Sequence, residues 1–153
     1  MSTTPVRLGA VALLLLVGCA ASGLKLSAVQ STFPRLADNH GRIYFYRTAN
    51  AFGMAMQASI QIDGTKVGRS RPGGVFYVDV PEGKHTIRIP TQSFGSDNEL
   101  TVRIEDSEVI YVRTWIGGSA YGGRTNMEVV SPEDARRVAR DLAYTGGETS
   151  TPD

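Results

Sequence analysis

The sequence has one cysteine, two histidines and no surplus of charge of either sign, and each shortage excludes a class of function. Because Cys19 has no second cysteine to pair with, we expect no internal disulfide and no cysteine-based metal cluster. The 16 basic and 15 acidic side chains give a formal net charge of +1 over 153 residues. Nucleic-acid binding needs a basic surplus or patch, so we expect no nucleic-acid partner.

Residues for catalysis are equally scarce. A catalytic triad or a metal site needs a base or several ligands brought together, and His40 and His85 are the only histidines. Both lie beside predicted turns, and we expect His85 to hydrogen-bond turn backbone groups. Glu105, Asp106 and Glu108 offer too few oxygens for calcium. We therefore expect no enzyme, no resident metal and no cofactor.

The first 18 residues have the parts of a secretory signal peptide. Arg7 supplies a positive charge, and residues 8–17 form a short apolar run. That run is about ten residues long, whereas a membrane-spanning helix needs about 20. The segment therefore predicts a signal peptide and not a transmembrane anchor.

The end of this run resembles a bacterial lipobox, Leu16-Val17-Gly18-Cys19. The resemblance implies cleavage before Cys19 and attachment of diacylglycerol and an amide-linked acyl chain such as palmitate, which together hold a protein on a membrane. By the sorting rules of Gram-negative bacteria, Ala20 in the next position implies the periplasmic face of the outer membrane. The alternative is an ordinary signal peptide that leaves a free thiol.

Four segments follow from these patterns: a signal peptide (1–18), a lipidated cysteine with a tether (19–40), a domain (41–145) and a disordered tail (146–153). Within the tether, residues 20–30 show no sustained period and predict a flexible linker. Such a linker would span about 17–20 Å.

The domain predicts an all-β, mainly antiparallel β-sandwich of seven or eight strands with one C-terminal α-helix. Asp63-Gly64 favours a type I′ hairpin, and Pro72-Gly73-Gly74 and Pro81-Glu82-Gly83 mark two further turns. We expect four strands between Ile60 and Ile89, each with a partner nearby. The charged strand 65–69 is predicted at an edge. A glycine-rich hairpin loop is predicted for residues 117–124.

A change of period near residue 131 predicts the helix. Ser131 is a good N-cap, Pro132 suits the first helical position, and Asp134 completes a capping box. Apolar residues then recur at helical spacing as far as Ala143, and Gly146-Gly147 is expected to end the helix.

Two family resemblances overlap in this domain. Residues 60–104 resemble a PEGA-type domain, a small β-sandwich of bacterial envelope proteins, although Ser93-Phe94-Gly95 replaces the usual Gly-Tyr pair. Residues 41–130 resemble the domain-of-unknown-function-2846 family of predicted bacterial lipoproteins, which implies fold and location but no catalytic residue. The residues that carry the first resemblance are Ile62-Asp63-Gly64, Val67-Gly68, Pro72 and Pro81 to Ile87. Those that carry the second are Gly41 to Arg47, Asp63-Gly64 and Phe76 to His85.

Strand alternation also predicts an aromatic outer face. If Ile43, Phe45, Phe76 and Val112 face the core, the opposite face carries Tyr44, Tyr46, Tyr77, Tyr111, Arg113 and Trp115, with Tyr121 and Arg124 in the glycine-rich loop. Aromatic and arginine side chains are typical of binding hot spots. The alternative, which we favour, is that the C-terminal helix covers this face.

The sequence predicts a lipid-anchored envelope lipoprotein that serves as a binding or structural module. Its expected partners are the membrane, through the lipid on Cys19, and an envelope protein or glycan. The alternatives are a small-ligand or glycan binder that uses the aromatic face, and an envelope hydrolase that brings together distant residues such as His85, Asp79 and Ser119.

Overall fold

A computed structural model of the protein describes residues 20–50, 53–90, 98–119 and 122–146. The predicted signal peptide, Cys19 and nearly all of the predicted tail lie outside these residues. The elements are α1 (Leu26–Val29), a 3₁₀ turn (Gln30–Thr32), β1 (His40–Arg47), β2 (Ser59–Ile62), β3 (Thr65–Arg69), β4 (Gly74–Pro81), β5 (Gly83–Ile89), β6 (Asn98–Ile104), β7 (Val109–Ser119), β8 (Gly122–Val130), α2 (Pro132–Ala139) and β9 (Ala143–Tyr144).

The strands form two sheets, which confirms the predicted all-β sandwich with a C-terminal helix. The larger sheet has the order β8-β7-β1-β4-β9, and the smaller has the order β3-β2-β5-β6. Most pairs are antiparallel, but β1 runs parallel to β7 and β4 runs parallel to β9. The described ranges contain nine strands, one more than expected, because the short β9 adds to the larger sheet.

The core lies between the two sheets. Ile43 and Phe45 of β1 face it and are 0% and 1% exposed, and the rings of Phe45 and Phe76 stack with centroids 5.2 Å apart. The smaller sheet contributes further apolar side chains, among them Ile60, Ile62, Ile87, Ile89, Val102 and Ile104. The inward positions predicted from period-two alternation are confirmed.

The turns after residue 60 divide the strands between the sheets. Asp63 and Gly64 have φ angles of 49° and 84°, which fits the type I′ hairpin expected between β2 and β3. The next two turns close no hairpins, since β4 pairs with β1 and β9 while β5 pairs with β2 and β6. The expectation that each strand pairs with a close sequence neighbour is therefore wrong for β4. The edge position of β3 is confirmed.

The C-terminal helix begins as predicted but ends early. The Ser131 hydroxyl accepts a hydrogen bond from the backbone N–H of Asp134 at 3.2 Å. The helix stops at Ala139, so the expected continuation to Ala143 is wrong. Instead, Ala143 and Tyr144 pair with Gly74 and Val75 of β4, which satisfies the backbone groups of an otherwise open sheet edge.

The predicted tether is the main correction. Residues 21–33 pack on the domain: the N–H of Ala21 donates to the carbonyl of Pro72 at 2.9 Å, and that of Leu26 donates to the carbonyl of Leu142 at 2.9 Å. Leu26 is 3% exposed and belongs to a second apolar cluster with Tyr44 and Ala139. The apolar residues of segment 21–33 are too widely spaced to show a period in the sequence. The surface on which the segment packs forms only when β4 and β9 are assembled.

We predict that Leu26→Ala lowers the free energy of unfolding by about 2–3 kcal/mol, because it removes a buried leucine and leaves a cavity. Leu24→Ala is the matched control, since Leu24 is 68% exposed and its loss should change stability by less than about 0.5 kcal/mol. Chemical denaturation of both variants measures the difference. Equal, near-zero effects would mean that the segment is a tether after all.

Candidate functional site

The aromatic outer face lies on the larger sheet, but most of it is covered. Tyr44, Tyr46 and Tyr111 are 8%, 4% and 6% exposed. Tyr77 is half-buried and lies beside Tyr44, with ring centroids 5.7 Å apart. Three of these four tyrosines therefore have little ring surface open to a ligand, and the binding role of the set stays a prediction.

Two layers of chain cover this face. Ala135 and Ala139 of α2 pack over it at 0% exposure, as the favoured alternative predicted for the helix. The N-terminal segment adds Leu26 and Phe33, and the Phe33 ring lies 4.6 Å from that of Tyr77. Small alanines let the helix approach the tyrosine rings closely, so little ring surface remains open.

Arg42 fixes the N-terminal layer to the sheet. Its guanidinium donates twice to Asp79, from Nε to Oδ1 at 2.6 Å and from Nη2 to Oδ2 at 2.8 Å, and Nη2 also donates to the carbonyl of Pro34 at 2.9 Å. The guanidinium carbon lies 4.0 Å from the centroid of the Tyr77 ring. The hydrogen bonds to Asp79 raise the pKa of Arg42 above its usual value, against the opposing effect of burial. This arginine is a structural clamp.

The uncovered part of the face is the strip at the β7–β8 hairpin, formed by Arg113, Trp115 and Arg124. Arg113 and Arg124 are exposed and Trp115 is half-buried. Arg113 lies over the Trp115 ring at 5.2 Å and pairs with Glu128 at 2.6 Å. Tyr121, the remaining predicted member, lies outside the described residues.

His85 belongs to a hydrogen-bonded cluster at the opposite end of the sandwich. Its Nδ1 lies 2.6 Å from Oδ2 of Asp63, and its Nε2 lies 2.8 Å from the carbonyl oxygen of Pro81. Asp63 also accepts a hydrogen bond from the N–H of Thr86 at 2.9 Å. The backbone bond expected for His85 is confirmed, whereas the aspartate partner was not predicted.

Hydrogen bonds in this cluster favour the charged forms of both His85 and Asp63. Burial alone would lower the pKa of His85, but the hydrogen bonds to Asp63 and Pro81 raise it above its usual value. The hydrogen bond from Thr86 and the neighbouring His85 lower the pKa of Asp63. Because both ring nitrogens face acceptors, the imidazolium form can donate on both sides. The cluster ties the β2–β3 turn to β5.

The hydrolase alternative required His85 beside Asp79 and a serine such as Ser119. The structure pairs His85 with Asp63, and it pairs Asp79 with Arg42 of the other sheet. The side chain of Ser119 lies outside the described part. His85 and Asp79 therefore do not form the pair that this triad requires.

A buried arginine that the sequence analysis did not single out shapes the loop after β1. Arg47 is 1% exposed and donates to the carbonyls of Gly53 at 2.7 Å and Met56 at 2.6 Å. Burial lowers its pKa. The available signal was its inward position in strand alternation, two residues after Phe45.

This loop forms one wall of a cleft of about 470 Å³ at the end of the sandwich from which the β7–β8 hairpin projects. Its lining mixes apolar and basic side chains: Ala55, Met56, Gln57, Ala58, Arg69, Ile89, Pro90, Gly123, Arg124 and Thr125. The described residues contain no cluster of three or more metal-ligating side chains. No helix among them is both long and apolar enough to cross a membrane.

These features define a class: an all-β sandwich whose outer face is closed by its own terminal segments. The chain belongs to the family described as "Protein of unknown function (DUF2846)", whose model matches residues 37–124. An uncharacterized protein of Haemophilus influenzae is 26% identical over 132 residues, which cover 84% of this chain and 77% of the relative. The PEGA-like resemblance stays a prediction.

We predict that the His85 cluster makes stability depend on pH. Because folding raises the pKa of His85, its contribution is complete below pH about 6.5 and is lost as the pH rises through the folded value. The Asp63 contribution is present above about pH 3.9 and is lost as the pH falls through its lowered folded value.

His85→Gln should therefore flatten the decline in stability above pH about 6.5 and cost about 1 kcal/mol at pH 6. His40→Gln is the control, since the hydrogen-bond contact described for the His40 ring is local, with the carbonyl of Asp38 two residues away at 2.8 Å. Denaturation curves between pH 4 and 9 measure both. An unchanged slope in His85→Gln would contradict this account.

Proposed function

We propose that the protein is a lipid-anchored lipoprotein of the bacterial envelope, held through acylated Cys19 on the periplasmic face of the outer membrane, and that it serves as a binding or structural module. The observation that carries this proposal is Leu16-Val17-Gly18-Cys19 after a short apolar run. A single cysteine at that position is the residue to which the lipid of an anchor would be attached.

The packing of the described residues supports a module without catalysis. The clustered ionisable side chains are engaged in structural contacts: Arg42 with Asp79, and His85 with Asp63. Arg47 binds backbone carbonyls. A general base needs a perturbed group that is open to substrate, and both ring nitrogens of His85 are occupied by Asp63 and Pro81.

The anchor is tested by feeding cells an alkyne-tagged fatty acid. The wild-type chain should incorporate the label and fractionate with the outer membrane, whereas Cys19→Ser should incorporate none and leave the membrane fraction. Intact-protein mass spectrometry identifies the modified residue.

Ala20→Asp separates the anchor from its destination. By the sorting rules of Gram-negative bacteria, this variant should keep the label and move to the inner membrane. An unacylated Cys19 in the purified wild-type protein would contradict the anchor itself.

The second candidate function is binding of an envelope protein or glycan at the Arg113–Trp115 strip. The observation that favours it is an indole that stays half-buried under an exposed guanidinium, because such pairs stack on sugars and peptide groups. Tyr44 is buried and takes no direct part.

We predict that Trp115→Ala with Arg113→Ala reduces recovery of crosslinked partners from intact cells at least several-fold. Val138→Ala, at an exposed position on α2, is the control and should leave recovery unchanged. Thermal unfolding must show that both variants stay folded. Identical partner profiles in all three proteins would remove the strip as a binding surface.

A further inference from the structure

The path of the chain after Cys19 leaves almost no free tether. The N–H of Ala21 already donates to the carbonyl of Pro72, so only Ala20 lies between Cys19 and a residue docked on the domain. Two residue steps span at most about 7 Å. The polar layer on each side of a bilayer is about 5–8 Å thick. An acyl chain on Cys19 would therefore hold Ala21 at the outer edge of the headgroups.

The docking point of Ala21 identifies the end of the sandwich that faces the bilayer. Pro72 precedes β4, whose first residue, Gly74, pairs with the last residue of β1, Arg47. Because β7 runs parallel to β1, the β7–β8 hairpin projects from this same end. The loop after β1 also lies here, since a Cβ atom at Gly123 would lie 3.1 Å from Sδ of Met56. We call this end, with residues 48–50, 53–58, 70–73, 117–119 and 122–124, the anchor end.

The anchor end has the composition of a membrane-contacting surface. Met54 and Met56 are 38% and 37% exposed, and exposed methionines can enter the interfacial region. Arg71 and Arg124 are exposed, and the described loop residues of this end include no aspartate or glutamate. Cations at this position attract anionic phospholipid headgroups.

The opposite end of the sandwich is acidic in balance, with five carboxylates in its turns against Lys84 and Arg103 at the adjoining ends of β5 and β6. The turns there contribute Asp63, Glu82, Glu105, Asp106 and Glu108. Two of these turns meet at the start of β1, where the N–H of Glu82 donates to the carbonyl of Asn39 at 2.7 Å and the N–H of Ser107 donates to the carbonyl of His40 at 2.8 Å. The eight residues of β1 separate the two ends by about 25 Å. This separation is greater than the headgroup layer, so an anionic bilayer would attract one end and repel the other.

We propose that the domain lies end-on against the bilayer, with the anchor end in contact with anionic phospholipid headgroups and the acidic end directed away. This inference rests on the proposed acylation of Cys19. The partner is thus the membrane surface itself, recognised by the Met54–Met56 loop and by Arg71 and Arg124.

The test uses the acylated full-length protein in vesicles of phosphatidylcholine and phosphatidylglycerol. Because acylation consumes the only native thiol, Met54→Cys and the matched control Asp106→Cys can each carry one environment-sensitive fluorophore. We expect the label at position 54 to emit at shorter wavelength and to be quenched several-fold more strongly by a lipid-borne quencher. In the Met54→Cys background, Arg71→Glu with Arg124→Glu should reduce that quenching.

Mass spectrometry of the same samples separates the two proposals. Absence of acyl mass on Cys19 would overturn the anchor. Acylated protein with equal quenching at positions 54 and 106, whether both strong or both weak, would overturn the end-on orientation alone.

Discussion

The structure depends on the burial of β1 on both faces. Ile43 and Phe45 pack between the sheets, while Tyr44 and Tyr46 point the other way and are also buried. A strand with bulky apolar side chains on both faces cannot be stable in a two-layer fold unless something covers the outer face. The N-terminal segment, α2 and β9 provide that cover. What resembles a tether and a terminal helix is thus a third layer that β1 requires.

This covering layer joins the N-terminal and C-terminal segments of the domain. The N–H of Leu26 bonds to the carbonyl of Leu142, and the N–H of Tyr144 bonds to the carbonyl of Leu24. Arg42 adds a charged clamp, in which the bidentate bond to Asp79 also orients the guanidinium over Tyr77 and toward Pro34. Its Nε and Nη2 both have hydrogen-bond acceptors, and the Asp79 carboxylate balances its charge. The clamp therefore avoids the penalty of a buried unpaired charge.

The sandwich, most of the strands, the type I′ turn and the Ser131 cap could be predicted because each depends on local alternation or turn chemistry. The pairing of β4 could not, since Pro81-Glu82-Gly83 appears the same in sequence whether it closes a hairpin or crosses between sheets. The docking of Leu26 and the early end of α2 were missed for a related reason: both depend on an edge of β4 that exists only in the assembled fold. For the candidate site, alternation placed Tyr44, Tyr46 and Tyr111 correctly on the outer face, but accessibility depends on the cover.

The closed outer face changes where a partner can bind. A ligand for the tyrosine rings would have to displace α2 and Leu26, whose burial contributes a few kcal/mol in total, a large fraction of the stability of a typical domain. Surfaces that need no such opening include the hairpin strip, the two ends of the sandwich and the outer face of the smaller sheet, where Lys84, Thr101 and Arg103 are exposed. Because Ala21 docks at one of those ends, any anchor on Cys19 holds that end beside the membrane. On a chain anchored in this way, the acidic end, the flank with Trp115 and the outer face of the smaller sheet would remain open to a partner.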